Sequence, residues 1–338
     1  MKTIRIWAAL MLTSVLILSG CFSFSSKEEK DTLKLATFSQ GSSWYVYGAT
    51  MAEILREEMT DVNQIDVLPY AGGLGNVQVV AEGEADVGLT FSVNNQWAAE
   101  GSVAYDTPYE NLTLLLDGLD HYYIGIIIRD EFKEKHGIES ISDIKAKEIP
   151  VNLYTMNRGS QGEFLAREIL TAHDLDYDLL RSYGGSVTNT SFDVVSSSFN
   201  DGRADMFIQM MTVGHPSFTE ISMQTPVTFL SIEEEFREGL LASGIDEAVF
   251  PANVFKGQTK EIETVGFATT LIANENLSDD MAYEITKSLI ENKQRLSQGH
   301  QALEEFNPKQ TIERLDGQTI KIHPGAEKYY RERNWIKD

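Results

Sequence analysis

The chain has 338 residues, 51 of them acidic and 28 basic, for a formal net charge of −23. That balance excludes nucleic-acid binding as the main task, because phosphate contact needs clustered Lys and Arg. A single cysteine, Cys21, excludes an internal disulfide framework, while the length allows a large core and more than one domain.

Lys2 and Arg5 precede an apolar stretch, Ile6 to Ile17, and the pattern reads as an export signal. The stretch is shorter than the roughly 20 residues of a membrane-spanning helix. Leu18-Ser19-Gly20-Cys21 follows and resembles the lipobox of bacterial lipoproteins. The resemblance implies removal of residues 1–20 and a diacylglycerol on Cys21, and two acyl chains make a stable anchor. Residues 21–32 would then be a tether. The expected location is the outer face of the cell membrane, with the lipid as the sole attachment.

From residue 33 one order of elements occurs twice. The first unit runs as strand Leu33 to Thr37, Gly41-Ser42-Ser43 opening a helix, strand Ile65 to Leu68, and Gly72-Gly73 with Asn76 opening a second helix. It closes with Gly83-Glu84-Ala85-Asp86 and strand Val87 to Thr90. Residues 149–213 repeat it with strand Ile149 to Leu153, Gly159-Ser160 and a helix, and Gly184-Gly185 with Asn189 and a helix. Gly202-Arg203-Ala204-Asp205 and strand Met206 to Gln209 complete the second unit. Gly41 to Gly159 spans 118 positions, Gly72 to Gly184 spans 112, and Gly83 to Gly202 spans 119. Two similar βαβαβ units facing each other make a cleft.

Tyr123 to Arg129, between the units, is an unusually apolar run, and Val265 to Ala273 is a second one after them. Both read as buried strands at the places where the chain crosses between domains. A helix is expected over Asp279 to Gln298, capped by Ser278, with Met281, Ile285, Leu289 and Ile290 at helical spacing. Gln301 to Phe306 is expected to be helical, and the last segments to pack on the first domain. The fold class is therefore α/β. Residues 33–125 are the first part of domain I, 126–264 domain II, and 265–338 the return strand with the rest of domain I.

A Gly/Ser loop leading straight into a helix leaves backbone N–H groups free at the positive end of the helix dipole, which suits an anion. Small residues also let a ligand approach the backbone. The candidate wall in the first unit is Ser42, Ser43, Trp44 and Tyr45, then Gly72, Gly73 and Asn76, then Ser92. The candidate wall in the second is Arg158, Gly159, Ser160 and Gln161, with Tyr183. Arg158 is the preferred cation, since a guanidinium in a helix-opening loop can fork onto a carboxylate. Arg181 reads as structural, and so do His215 and His323, each before a proline. The six histidines show no H-E-x-x-H spacing, and no G-x-S-x-G elbow occurs. Glu233-Glu234-Glu235 reads as a solvated helix face. No catalytic residue, metal or cofactor is expected.

Val213-Gly214-His215-Pro216-Ser217 with Glu220-Ile221 resembles the "GHP" signature of TAXI-type solute-binding proteins, the binding subunits of one class of TRAP transporters. Ile322-His323-Pro324-Gly325-Ala326-Glu327-Lys328-Tyr329-Tyr330 resembles their C-terminal block. Thr264-Val265-Gly266 through Leu277-Ser278 and Tyr283 to Lys287 agree as well, so the resemblance covers residues 33–336. It implies a type II periplasmic-binding fold: two α/β domains, two crossing strands and a ligand between them. It further implies a monomer that passes glutamate or a related small acid to membrane permease subunits. The family's first loop, Gly-Thr-Tyr-Tyr-Pro-x-Gly, is here Ser43-Trp44-Tyr45-Val46-Tyr47-Gly48, and Gly72-Gly73 lacks the family's serine. These departures make the first wall more apolar. A sensory lipoprotein that reports its ligand to a membrane partner is the alternative reading.

Overall fold

The computed structural model describes residues 32–60, 62–313 and 320–336. The expected export signal, Cys21 and the tether up to residue 31 lie outside the described residues. Strands β1 (Thr32–Thr37), β2 (Gln64–Pro69) and β3 (Val87–Phe91) alternate with helices α1 (Ser43–Glu58), α2 (Gly73–Ala81) and α3 (Ser92–Glu100). β4 (Leu112–Leu116) and β5 (His121–Arg129) lead through α4 (Asp130–His136) and α5 (Ser142–Ala146) to the second unit. That unit is β6 (Asn152–Met156), α6 (Gln161–Ala172), α7 (Tyr177–Ser182), β7 (Ser186–Thr190), α8 (Phe192–Asn200), β8 (Met206–Met211) and α9 (Pro216–Gln224). Then come β9 (Val227–Phe229), α10 (Glu234–Leu241), β10 (Asp246–Phe250) and the long β11 (Ile262–Asn274). The chain ends with α11 (Asp279–Glu291), α12 (Lys293–Gly299), a 3₁₀ turn at Gln301–Glu305, α13 (Pro308–Glu313), β12 (Lys321–Ile322) and α14 (Pro324–Glu332).

The described strands form one mixed network with two halves. In the first, β1 pairs in parallel with β2 and β3, and β11 runs antiparallel between β3 and β4. In the second, β6 pairs in parallel with β7 and β8, and β5 runs antiparallel between β8 and β11. β11 thus belongs to both: Gly266 to Ala268 face β5, and Thr269 to Ala273 face β3. Central strands β3 and β8 are buried along their whole length, as strands covered on both faces must be.

The repeated Gly-x-Ala-Asp has the same job in each half. Gly83 and Gly202 sit at φ +76° and +70°, a left-handed turn that glycine takes without strain. The Asp then clasps the neighbouring strand. Asp86 N–H donates to Lys34 O at 3.0 Å, and Lys34 N–H donates to Asp86 Oδ2 at 2.8 Å. Asp205 N–H donates to Asn152 O at 3.0 Å, and Asn152 N–H donates to Asp205 Oδ2 at 3.0 Å. Arg129 also binds Asp205, at 2.9 Å.

Several expected elements are corrected. Gly184-Gly185 does not open a helix; it precedes β7, and a Cβ on Gly185 would meet Val151 O at 2.2 Å, at the start of β6. The counterpart of Gly72-Gly73 is Ser191-Phe192 at the start of α8, 119 positions on, in line with the other offsets. The strand expected at Ile149 runs instead from Asn152, after Pro150, which has no N–H to give a ladder. The helix expected to reach Gln298 breaks at Asn292, whose side chain donates to Ser288 O at 2.9 Å and competes with the helical pattern. Ser278 caps that helix as expected, accepting from Met281 N–H at 3.2 Å. The terminal segments pack on the first half: Arg295 pairs with Glu57 at 2.8 Å, and β12 joins β4.

Candidate functional site

The parallel strands of both halves direct their C-terminal ends at one cleft, the place where open α/β sheets take ligands. The first half supplies Phe38 and Ser42 between β1 and α1, Trp44 in the first turn of α1, then Ala71, Gly72 and Gly73 at the start of α2, and Phe91 at the end of β3. The second half supplies Gln161 and Gly162 from α6, Phe192 from α8, Gln209 and Met210 from β8, and His215 before α9. Tyr122 of β5 completes the lining.

The two walls are in contact. Phe38 and Phe192 meet edge to face at 5.7 Å. Ser217 Oγ donates to Gly41 O at 2.8 Å, Asn94 Nδ2 to Gln161 Oε1 at 2.9 Å, and Trp97 Nε1 to Ser243 O at 2.7 Å. The space enclosed is about 10 Å³, the room of a single water. This is a closed arrangement, and a larger ligand needs the walls to part. Wider hollows of about 410 Å³ beside Asp120 and Glu305, and about 200 Å³ beside Trp97 and Leu240, share no lining residue with this cleft.

Six helices begin at residues of the lining. Two carry their own cap: Ser42 Oγ accepts from Tyr45 N–H at 3.2 Å, and Ser160 Oγ from Glu163 N–H at 3.3 Å. The other four, α2 after Gly72, α3 after Phe91, α8 after Ser191 and α9 after His215, have no side-chain cap. α8 carries the exposed Asp193 in its first turn and α9 opens on Pro216, which has no N–H, whereas Gly73 at the start of α2 lies against Gln161, where a Cβ would meet Oε1 at 2.8 Å. Gln161 is 1% exposed; its Oε1 is taken by Asn94 and its Nε2 has no partner. An unpaired buried donor costs about 1–3 kcal/mol and calls for an explanation. Asn94 is itself held by Thr90 Oγ1 at 3.1 Å, and Thr90 donates to Gly73 O at 3.0 Å, so one chain of hydrogen bonds joins the starts of α2 and α6. His215 Nδ1 is also buried without a partner. Burial, reinforced by the neighbouring His300, pushes the His215 imidazole down to about 3, so it is neutral. Among the described residues, no Lys, Arg, Asp or Glu lines the cavity.

Of the residues expected from the sequence, Ser42, Trp44, Gly72, Gly73 and Gln161 come together on this lining. Ser43, Asn76 and Ser160 are buried just behind it. Asn76 Nδ2 donates to Leu89 O at 2.7 Å and ties α2 to β3. Ser92 and Tyr45 are half-buried and do not line the space. Arg158 and Gly159 are exposed to solvent, and Glu163 is paired with Arg167 at 3.1 Å. Tyr183 ends α7, on the far edge of the second half-sheet. Arg181 is paired with Asp178 at 2.8 Å, and His323 caps α14, both structural as expected. Glu233 is not simply solvated: it accepts from Ser142 Oγ at 2.9 Å and meets His173 Nε2 at 3.1 Å. Sequence reasoning passed over Phe38, Phe91, Tyr122, Gly162, Phe192 and Gln209, and it read as structural His215, which lines the cleft. The 119-residue offset from Gly73 does point to Phe192. Among the described residues, no group of three metal-ligating side chains occurs, and no helix is long and apolar enough to cross a membrane.

The profile of the NMT1-like family matches residues 35–333. The periplasmic binding protein BugD is 12% identical over 91% of this chain and 99% of its own, with a TM-score of 0.54. MatC from Rhodopseudomonas palustris, solved with bound malate, is 12% identical over 90% and 97%, with a TM-score of 0.52. The binding protein component of an ABC phosphonate transporter from Pseudomonas aeruginosa is 12% identical over 81% and 79%, at 0.50. The fold is that of periplasmic solute-binding proteins.

Proposed function

The chain belongs to the NMT1-like family, and from that premise we propose that it is the solute-capturing subunit of a membrane transporter, closing on a small organic anion. The observation that carries this reading is the convergence of uncapped helix starts and the unpartnered Gln161 Nε2 on one enclosed cleft. Backbone N–H groups at helix starts hold a carboxylate without a cation. The two halves, 33–125 with 265–338 and 126–264, would open and shut about β5 and β11, and ligand would favour the shut form through contacts with both. Such a protein binds and releases; it has no catalytic step.

The transporter is read as a TAXI-type TRAP system, on the motifs from Val213 to Ser217 and from Ile322 to Tyr330. The protein would be held outside the cell by a lipid on Cys21 and would act as a monomer with its permease. The ligand would touch Ser42, Trp44, Gly72, Gly73 and Gln161, with Ser43, Asn76 and Ser160 as supports. Arg158, exposed beside the cleft, adds a screened attraction during entry.

Native mass spectrometry of freshly purified protein identifies any anion carried through purification, and titration calorimetry with that anion then compares variants. Gln161→Leu removes a hydrogen bond to a charged group, about 1.5–3 kcal/mol, or roughly a 10- to 100-fold rise in Kd. Arg158→Ala should raise Kd less. An unchanged Kd for Gln161→Leu refutes the site.

A further inference from the structure

We infer that the anion this cleft accepts is an aromatic monocarboxylate, and that amino acids such as glutamate and aliphatic dicarboxylates are poor ligands. The inference rests on the reading of the cleft as an anion site and goes on to name the class.

The first ground is charge. The groups available to hold a negative charge are the N–H groups at the uncapped helix starts, α2 foremost, and the Gln161 Nε2. The start of α8 is already offset by the exposed Asp193 in its first turn, so the favoured place is the start of α2, about half a unit of positive charge with the Gln161 amide against Gly73, which suits a single carboxylate. The lining has no Asp or Glu to receive an ammonium group, and no Lys or Arg to receive a second carboxylate. His215 cannot serve as that cation, being buried and neutral. A glutamate would therefore carry an ammonium and a second carboxylate into a water-excluded space with no partner for either, the costly situation for a buried charge.

The second ground is the rest of the lining. Phe38, Trp44, Phe91, Tyr122 and Phe192 surround the space from both halves. They already contact one another as aromatic pairs: Trp44 and Phe91 at 4.4 Å, Phe91 and Tyr122 at 5.3 Å, Phe38 and Phe192 at 5.7 Å. The last pair spans the cleft, one ring from each half. As the halves part, a flat ring between Phe38 and Phe192 replaces their mutual contact with two new ones of the same kind. Its carboxylate then falls to the start of α2, which follows directly on Gly72 in the chain.

The test is calorimetry on the whole ligand-stripped protein with benzoate, phenylacetate, L-glutamate, succinate and benzamide. At least one aromatic acid should bind at least tenfold more tightly than glutamate and succinate, and benzamide at least tenfold more weakly than benzoate. Phe192→Leu, which keeps an apolar side chain, should weaken the aromatic acid at least fivefold. Tighter binding of glutamate or succinate overturns the inference and leaves the anion reading standing. Benzamide binding as well as benzoate overturns the anion reading itself. Binding of none of the five, or an unaltered Phe192→Leu variant, overturns the inference.

Discussion

Gly162, the second residue of α6, has no room for a methyl group, and the reason is a single neighbour. A Cβ there would lie 1.8 Å from Gln209 Oε1, where ordinary contact is 3.4 Å or more, so the end of Gln209 must retreat by about 1.5 Å. That oxygen accepts from Met210 N–H at 2.8 Å, and both residues are buried. The retreat strands a buried N–H, at about 1–3 kcal/mol. Alanine in a helix would otherwise gain up to about 1 kcal/mol over glycine. Gly162→Ala is therefore expected to cost about 1–2 kcal/mol net. Gln209→Ala strands the same N–H and costs about 1–3 kcal/mol by itself. In the double variant the methyl group occupies space that Gln209 has given up, so the second substitution adds nothing. Urea unfolding of the four proteins, with a shared slope, gives the cycle. A coupling of about 1–2 kcal/mol, the cost of Gly162→Ala alone, is expected. Additivity within about 0.5 kcal/mol, or a stabilised Gly162→Ala protein, refutes the collision.

Asp120 is buried and its carboxyl is pushed up to about 7, with burial the main cause and Glu305 adding to it; Tyr47 donates to it from α1, and Thr269 faces it from β11. Since the folded form holds its proton more tightly than the unfolded one, its stabilising effect is lost as pH rises from about 4 to about 7, and Asp120→Asn should gain stability over the parent across that window and stay level above it. Burial pushes His215 down to about 3 and His300 to about 4, so the unfolded chain binds more protons there, and acid denaturation of both proteins should set in as pH falls below about 6.5. Asp205→Ala leaves Arg129 with only the exposed Glu131, at 3.0 Å, and Asn152 N–H without its acceptor; urea titration should show a loss of about 1–3 kcal/mol. Small-angle scattering should give a more compact particle with saturating ligand than without, and identical curves would count against closure. Cys21→Ser should free the protein from membranes in a fractionation with a high-salt wash; a variant that stays bound rules out the lipid as sole anchor.

The fold was legible where its signals were local and repeated. Val87 to Thr90 and Met206 to Gln209 are apolar runs behind a glycine turn, and the structure makes both central strands. β7 was not legible, because Ser186-Val187-Thr188-Asn189-Thr190 is polar and half-exposed on a sheet edge. That gap drew Gly184-Gly185 into the wrong place, although its 112-residue offset disagreed with its neighbours at 118 and 119. The site was half legible. Loop glycines and Gln161 follow from where helices start, but Phe91 and Gln209 sit inside strands that read simply as core. Whether a strand residue near the C-terminal end faces the cleft depends on the pairing of the halves through β11, which no local pattern reveals.

β11 also sets the order in which the molecule can be made. Its residues Thr269 to Ala273 are the inner strand between β3 and β4, yet Thr90 and Thr270 are 180 residues apart in the chain. The first half therefore waits for a strand synthesised after the whole of the second half. Contacts of such long sequence separation slow folding and leave the edge of β3 unpaired in the interim. The second half shares the delay more mildly, since β6, β7, β8 and β5 are complete by residue 211. A polypeptide emerging from a ribosome or through a translocation pore can thus shape its middle before its beginning. Premature collapse of the N-terminal third is the hazard, and a holding chaperone that keeps residues 32–116 extended until residue 274 is available would raise the yield of native protein.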